Sequence, residues 1–163
     1  MKSKKLESQL QITIRQALPE DRVRVDTIIA AAYSKYIPVI GRKPQPMTVD
    51  YGQIIAEQSV WLLCLADLPV GVLDVRPETD HLLIYNVTID PHYQGQGFGK
   101  KLLEWAEQVA QQSGYAVIRL YTNVLMAENI AFYHRRGYVE TKREPYLNST
   151  VVHMAKSISG RPT

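Results

Sequence analysis

Three glycines alternate with other residues in the segment Gln94-Gly95-Gln96-Gly97-Phe98-Gly99. An alternating apolar strand, 82–89, precedes this segment, and an amphipathic helix, 98–112, follows it. Glycines let the backbone approach a ligand closely, and the first N–H groups of a helix have no partner inside the helix. The layout therefore predicts a site for phosphate oxygens at the start of the helix.

Two other phosphate-binding motifs do not fit this segment. A dinucleotide fingerprint counted from Gly95 needs a third glycine where this chain has Lys100. A P-loop ending at Gly99 and Lys100 needs serine or threonine where this chain has Lys101, and a glycine where it has Gln94. A plain glycine turn between strand and helix stays open as the alternative to a ligand site.

A second motif lies further along the chain, where Phe132-Tyr133 is followed by Gly137-Tyr138. With this motif, the chain resembles the GCN5-related N-acetyltransferase (GNAT) family. That family carries glutamine or arginine, two further residues and then G-x-G/A at a strand-to-helix junction, a pattern that residues 94–99 match. The resemblance extends from Ile12 to Lys156, and the two motifs occur in the family's order.

The resemblance implies that the chain binds acetyl-coenzyme A as a co-substrate. In the family, backbone N–H groups of the glycine segment hold the pyrophosphate, and the end of the preceding strand pairs with the pantetheine arm. That strand splays from the next one, leaving a wedge for the thioester. The implied cofactor-binding residues are Val87, Thr88, Ile89, Gln94, Gly95, Gln96, Gly97, Phe98, Gly99, Lys100 and Asn129.

Asn129 is the least regular member of this set. The commonest family pattern has an asparagine seven residues before the tyrosine of the second motif, where this chain has Met126. Asn129 resembles the asparagine of a subgroup with a Met-x-E-N-x-A-x-Y pattern. A role as a cap or brace of the helix is the alternative.

The resemblance makes Tyr133 the candidate general acid, which protonates the departing thiolate. A tyrosine pKa of about 10 suits proton donation to a sulfur anion of similar basicity. A core aromatic on an amphipathic helix is the alternative interpretation of Tyr133.

The general base is not assigned by the sequence. Family members often use a glutamate on the strand before the glycine segment, but residues 82–89 contain no carboxylate. The remaining groups are Asp80, His81, Tyr85 and Asn86, acting directly or through water. Of these, Tyr85 and His81 are kept as candidate catalytic residues, although His81 also fits a turn.

The element order along the chain is predicted to be β-α-α-β-β-β-α-β-α-β-β. This order predicts an α/β (α+β) fold with a mixed central sheet, in which residues 11–158 form the N-acetyltransferase domain and residues 1–10 a flexible N-terminal tail. The first helix is expected from Pro19 to Tyr33, burying Val23, Ile28 and Ile29 or close neighbours. A loop is expected over 35–46, followed by a helix over 48–57 that Thr48 or Met47 caps.

The family's acceptor site implies that residues 33–47 and 144–149 border the acceptor here. Arg42 and Lys43 in the first of these segments suit an acidic group on the acceptor, or merely keep a loop soluble. The predicted partner is a small-molecule or peptide amine of unidentified structure, and a homodimer stays open. The predicted activity is direct acetyl transfer to a primary amine. The alternative is a catalytically silent acyl-coenzyme A-binding regulatory domain.

Composition narrows the class of protein further. The 163 residues carry a net charge of +3, too small an excess to predict a nucleic-acid-binding domain. A single cysteine excludes an internal disulfide and suits a reducing compartment. Apolar runs of strand length predict no membrane span, so the cytoplasm is expected. The histidines lack metal-ligand spacing, so no metal is predicted.

Overall fold

The computed structural model describes residues 11–158, so the predicted flexible tail over residues 1–10 lies outside the described residues. Within them the order of strands and main helices is the predicted one, with short helical turns added, and the mixed α/β (α+β) fold is confirmed. The strands are β1 (Ile12–Gln16), β2 (Val60–Leu65), β3 (Leu68–Pro77), β4 (Leu82–Ile89), β5 (Val117–Asn123), β6 (Val139–Tyr146) and β7 (Ser149–Ser157). The main helices are α1 (Arg22–Tyr33), α2 (Tyr51–Ala56), α3 (Phe98–Gln112) and α4 (Ala127–Arg135).

The strands form one seven-stranded sheet in the order β1-β2-β3-β4-β5-β7-β6 over the described part of the chain. Neighbouring strands are antiparallel except β4 and β5, which are parallel. Helices α1 and α2 pack on one face through buried residues such as Val25, Ile28 and Ile55. Helices α3 and α4 cover the other face, where Leu102 and Tyr133 belong to the second core. Helices thus cover both faces of the central strands, whereas edge strand β6 is exposed.

The two central strands diverge. Parallel pairing between β4 and β5 covers Leu82–Ile84 of β4, opposite Ile118–Leu120 of β5. Beyond Ile84, β4 stays paired with β3 and leaves its β5 side open. This is the splay that the family resemblance implies, and it leaves unpaired backbone groups along the last residues of β4.

The structure corrects the predicted buried face of the first helix. Val23 is 76% exposed, whereas Val25 is fully buried with Ile28 and Ile29. The helix proper begins at Arg22, after a 3-10 turn over Pro19–Asp21. Since residues two apart point to nearly opposite sides of a helix, Val25 and Val23 cannot share the core-facing side.

The segment predicted as a loop contains helical turns. Ile37–Ile40 forms one turn of helix, with Pro38 in the first turn where proline is tolerated. Gly41 ends this turn with a φ of 88°. Helix α2 is shorter than predicted, and its cap is Asp50, whose carboxylate accepts the Gly52 N–H at 3.0 Å, because Met47 and Thr48 belong to a preceding 3-10 turn. No helix in residues 11–158 has both the length and the apolar character to cross a bilayer.

Candidate active site

Two cavities adjoin at the divergence of β4 and β5. The larger one, an open cleft of about 1320 Å³, lies between the end of β4, the start of α3 and helix α4. The smaller one, of about 730 Å³, is bordered by segment 40–46, strands β4 and β5, helix α4 and the β6–β7 hairpin. Tyr33, Asn129 and Tyr133 border both cavities. The side chains of these three residues can therefore contact a ligand in either cavity.

The glycine loop presents backbone, not side chains, to the larger cleft. Gly95 and Gly97 have φ values of 80° and 83°, the left-handed region that favours glycine. A Cβ built on either would meet no atom within 4 Å, so the loop borders open space. Gly97 caps α3 without a side-chain hydrogen bond, and the Lys101 N–H makes the first helical bond, to Gly97 O at 3.2 Å. The N–H groups of residues 98–100 are therefore available to an anion.

An ion pair behind the loop fixes its start. The buried carboxylate of Asp90 accepts hydrogen bonds from Arg24 Nη2 at 2.8 Å and from the His92 N–H at 3.0 Å. Arg24 Nε also donates to Pro69 O at 2.9 Å, which ties α1 to β3. Although burial opposes it, the hydrogen bonds from His92 and Arg24 lower the pKa of Asp90. The carboxylate thus stays ionised, and the loop is anchored to α1.

Tyr133 lies on α4 at the boundary of the two cavities. Its ring packs against Phe132 and Tyr138, with centroids 5.5 Å and 6.0 Å away. Its hydroxyl has no hydrogen-bond partner in the described part of the chain, although the residue is only 8% exposed. Burial, assisted by the nearby Tyr33, raises the pKa of Tyr133 above its ordinary value. The hydroxyl is therefore a protonated donor on a residue that borders both cavities, and a weaker acid than an ordinary tyrosine.

A buried polar network holds Asn86 in the wall of the smaller cavity. The Asn86 Oδ1 accepts hydrogen bonds from the Tyr33 hydroxyl at 2.8 Å and from Thr88 Oγ1 at 2.5 Å. Its Nδ2 donates to the Tyr51 hydroxyl at 3.3 Å, which in turn donates to Asp74 Oδ2 at 3.0 Å. Because these partners occupy both ends of the amide, the orientation of Asn86 is fixed.

Asp74 anchors the far end of this network on β3. Arg76 donates to both carboxylate oxygens, at 3.2 Å from Nε and 2.9 Å from Nη2. Burial raises the pKa of Asp74, while Arg76 and Tyr51 oppose the rise. Asp74 borders neither cavity, so it acts on them only through the groups it holds, Tyr51 and Arg76.

Tyr85 enters the smaller cavity from a bulge in β4. Asp74 of β3 pairs with Asn86 and Val75 pairs with Ile84, which leaves Tyr85 as the extra residue between them. The Arg76 guanidinium stacks 3.7 Å from the centre of the Tyr85 ring. Burial raises the pKa of Tyr85 to about 12. At neutral pH the group is thus a neutral phenol, which orients a ligand or a water but removes no proton from an amine.

The structure gathers most of the predicted site residues and separates two of them. The residues that border the larger cleft are Val87, Thr88, Ile89, Gln94, Gly95, Gly97, Phe98, Gly99, Lys100 and Asn129. Gln96 is exposed and borders neither cavity. His81 also borders neither, because it precedes β4 at the end opposite the site and pairs with Asp80 at 2.7 Å. The position of His81 therefore gives no support to a catalytic role for this residue.

Several bordering residues were missed by the sequence analysis. Glu128 of α4 accepts hydrogen bonds from Lys35 Nζ at 2.7 Å and from the Tyr36 hydroxyl, so the 3-10 turn that follows α1 reaches α4 beside the larger cleft. Nothing in the sequence pairs these distant residues. The basic pair Arg135-Arg136 also borders this cleft and lies within the second motif, between Tyr133 and Gly137, so its positive charge is visible in the sequence. Residues 11–158 contain no group of three or more His, Cys, Asp or Glu side chains placed to hold a metal ion.

Comparison with known proteins assigns this arrangement to a family. A family model described as an acetyltransferase (GNAT) domain matches residues 56–140, from the end of α2 into β6. The chain belongs to the GNAT acetyltransferase family. The matched region of this GNAT domain contains the glycine loop, the diverging strands and Tyr133.

Two curated relatives of this GNAT domain match over shorter stretches. The aminoalkylphosphonate N-acetyltransferase of Salmonella typhimurium is 36% identical over 58 residues, which cover 36% of this chain and 38% of that protein. The [ribosomal protein bS18]-alanine N-acetyltransferase of Escherichia coli is 35% identical over 72 residues, 44% of this chain and 49% of that protein. The matches thus span less than half the length of either relative.

Solved structures share the GNAT fold over nearly the whole chain. The PaiA N-acetyltransferase from Thermoplasma acidophilum, in complex with coenzyme A, superposes with a TM-score of 0.75. The superposition covers 91% of this chain and 99% of that one at 17% identity. At this identity the likeness concerns the fold.

Proposed function

We propose that this protein transfers an acetyl group directly from acetyl-coenzyme A to the primary amine of a small molecule or peptide. The observation that carries the proposal is the position of Tyr133, an unpaired, protonated hydroxyl at the boundary of two cavities. One cavity ends on a backbone cradle suited to phosphate, and the other is a separate pocket suited to an acceptor. The family and the names of the two curated relatives support an N-acetyltransferase.

The larger cleft fits coenzyme A. Its pyrophosphate suits the free N–H groups of residues 98–100. Gly95 and Gly97 carry no side chain and leave open space beside these groups. The open side of β4 from Val87 to Ile89 suits the amide-containing arm, which can pair with a strand edge. Lys100, Arg135 and Arg136 add positive charge along the same cleft. When bound, the co-substrate supplies an activated acyl thioester.

Tyr133 is assigned to the departing sulfur. In a direct transfer the amine nitrogen forms a C–N bond to the acetyl carbonyl carbon, the C–S bond breaks, and its electron pair stays on sulfur. The Tyr133 hydroxyl donates a hydrogen bond, and then a proton, to that sulfur. Because its pKa is raised, the hydroxyl carries its proton at neutral pH. The hydrogen bond from this hydroxyl stabilises the negative charge that develops on sulfur, and such a bond is worth most where water is excluded.

Removal of the amine proton is assigned to water held in the smaller cavity. Its described borders contain no aspartate or glutamate, and Tyr85 is too weakly acidic to exist as phenolate at neutral pH. Glu128 in the larger cleft is a poor base, because hydrogen bonds from Lys35 and Tyr36 lower its pKa. Asn86 and Tyr85 are the groups placed to hold such a water, and the amine must lose its proton largely through solvent.

A second candidate is a catalytically silent acyl-coenzyme A-binding regulatory domain, which is favoured because the described border of the smaller cavity has no carboxylate. Calorimetric titration with acetyl-coenzyme A and a thiol-release assay over a panel of primary amines separate the two. We expect binding together with amine-dependent thiol release. Binding without release on any amine supports the silent domain, and no binding at all contradicts both candidates.

A further inference from the structure

The charges around the smaller cavity are one-sided. The charged residues on its described border are Arg42 and Lys43, and the remaining polar groups are neutral phenols, amides and a hydroxyl. Neither Arg42 nor Lys43 forms a salt bridge within residues 11–158, so their charges are not cancelled by a protein carboxylate. An aromatic, amide-lined cavity with two uncompensated cations at its border attracts anions and repels cations.

The two cations belong to the part of the smaller cavity that the larger cleft does not share. Tyr133 and Asn129 border both cavities, whereas Arg42 and Lys43 border the smaller one alone. An acceptor in the smaller cavity with its amine at the Tyr133 boundary therefore places its remaining atoms toward the basic residues.

Arg42 is held in position by the β6–β7 hairpin. Its guanidinium donates a hydrogen bond to Asn148 and lies 5.8 Å from the centre of the Tyr146 ring. Gln45 Nε2 donates to the Tyr146 hydroxyl at 2.5 Å, a second link between segment 40–46 and the same hairpin. Arg42 is thus pre-organised, with further N–H donors left for a ligand, since a guanidinium carries five. The two links tie segment 40–46 to the hairpin, so these two borders of the cavity are held against each other.

From this geometry we infer that the acceptor is a small primary amine that also carries an anionic group, such as a carboxylate or phosphonate, bound by Arg42 and Lys43. The inference rests on the proposed function, because it names the acceptor class for the same transfer. Arg42 gives the bidentate geometry that a planar carboxylate or a phosphonate needs, and Lys43 adds a second, mobile charge. The cavity has little more than half the volume of the larger cleft when both are measured with the solvent at their mouths, which favours a compact acceptor.

A matched amine series tests the inference by thiol release at saturating acetyl-coenzyme A. The series contains β-alanine and aminomethylphosphonate as anionic amines, β-alaninamide as the neutral counterpart, and putrescine as the cationic one. We expect kcat/KM for both anionic amines to exceed that of β-alaninamide at least tenfold, with putrescine the poorest. Equal or faster turnover of β-alaninamide or putrescine overturns the inference while leaving the proposed transfer intact.

Variants locate the effect on the two residues. The double substitution Arg42→Gln with Lys43→Gln should lower kcat/KM for the anionic amines at least tenfold through KM, and change that for β-alaninamide less than threefold. The matched control is Lys142→Gln with Arg143→Gln, an adjacent basic pair on exposed β6 that borders neither cavity. The control should retain the preference for anionic amines. A preference that survives the Arg42, Lys43 double substitution overturns the inference.

Two further outcomes of the amine assay, a better peptide acceptor and the absence of any transfer, also contradict the inference. A peptide with a free N-terminus and an acidic second residue that outperforms both anionic amines, with the same dependence on Arg42 and Lys43, overturns the small-molecule part of the inference. Acetyl-coenzyme A binding with no transfer to any of these amines overturns the inference, and release on no amine of any class contradicts the proposed function as well.

Discussion

The two cavities are built from different parts of the chain. The larger cleft takes half of its border from residues 87–100, where the open side of β4, the glycine loop and the start of α3 follow one another and offer backbone groups. The other half comes from the regions of α1 and α4. The smaller cavity is formed by side chains from well-separated segments, among them Tyr33, Asn86, Tyr121 and Tyr146. A site made of backbone is damaged by added atoms, and a site made of side chains is damaged by removed ones.

The largest effect is expected from adding a side chain to the backbone cradle. Gly97→Asp places a Cβ at a φ of 83° and a carboxylate beside the free N–H groups of α3, where it competes with phosphate oxygens. We expect acetyl-coenzyme A affinity, measured by calorimetry, to fall at least a hundredfold.

Gly114→Asp is the matched control for this substitution. Gly114 has a φ of 85°, meets no atom within 4 Å of a built Cβ, and ends the same helix, yet it borders neither cavity. It shares the backbone strain and should leave the affinity within threefold of the native value. A similar loss of affinity in both variants would show that strain, not the cradle, is responsible.

The next effect concerns the hydroxyl between the cavities. Tyr133→Phe removes the proposed donor to sulfur, and we expect kcat to fall about 10- to 100-fold with the affinity for acetyl-coenzyme A nearly unchanged. Tyr138→Phe is the control, because this buried tyrosine bonds Glu107 Oε2 at 3.2 Å and borders neither cavity. A Tyr133→Phe variant with native turnover would remove the assignment.

The pH profile of turnover follows from the same tyrosine. Burial keeps the pKa of Tyr133 above its ordinary value of 10, so the proton stays on the hydroxyl as the pH rises. Turnover should therefore increase as the acceptor amine deprotonates and show no tyrosine-dependent decline below about pH 10. A falling limb below that pH in the native protein, absent in Tyr133→Phe, would contradict the raised pKa.

A smaller effect is expected from removing a side chain on the acceptor side. Asn86→Ala deprives the buried hydroxyls of Tyr33, Thr88 and Tyr51 of their shared partner. We expect the free energy of unfolding to fall by about 2–3 kcal/mol and the acceptor KM to rise several-fold, with cofactor affinity within about threefold. A loss of cofactor affinity as large as the rise in acceptor KM would contradict the separation of the two cavities.

Thr88→Val is a milder comparison, because it removes one of the three hydrogen bonds of Asn86. It should lower the free energy of unfolding by about 1 kcal/mol in a denaturant titration.

The smallest effect separates two glutamines of one motif. Gln96 is exposed and borders neither cavity, so Gln96→Ala should change acetyl-coenzyme A affinity less than twofold. Gln94 Nε2 donates to Ile89 O at 3.0 Å and steadies the turn into the loop, so Gln94→Ala should weaken binding several-fold. Equal effects of the two substitutions would contradict the placement of Gln96 outside the cleft.

The contrast between the cavities also explains which features the sequence predicted. The glycine loop depends on consecutive residues, so its motif and its strand–loop–helix setting were visible without coordinates. Helix α3 was predicted with its observed bounds, since its apolar residues recur at helical spacing.

The acceptor side depends on relations that sequence patterns do not carry. Asn86 lies opposite Asp74 only through the β3–β4 register and its bulge, and Tyr33 reaches it only through the packing of α1 on the sheet. His81 was considered because it is near the site in sequence, yet strand direction places it at the far end of β4.

The location of the protein in the cytoplasm stays a prediction from the sequence.

Helix α1 touches the machinery of both cavities at its two ends. Near its start, Arg24 holds the Asp90 carboxylate that anchors the glycine loop, and at its end, Tyr33 borders both cavities. Twelve residues of helix span about 18 Å as a stiff rod. A ligand that displaces this rod at one end therefore alters the affinity at the other, and thermodynamic linkage makes the factor equal in both directions. Positive or negative cooperativity between donor and acceptor binding would then result from a displacement of α1.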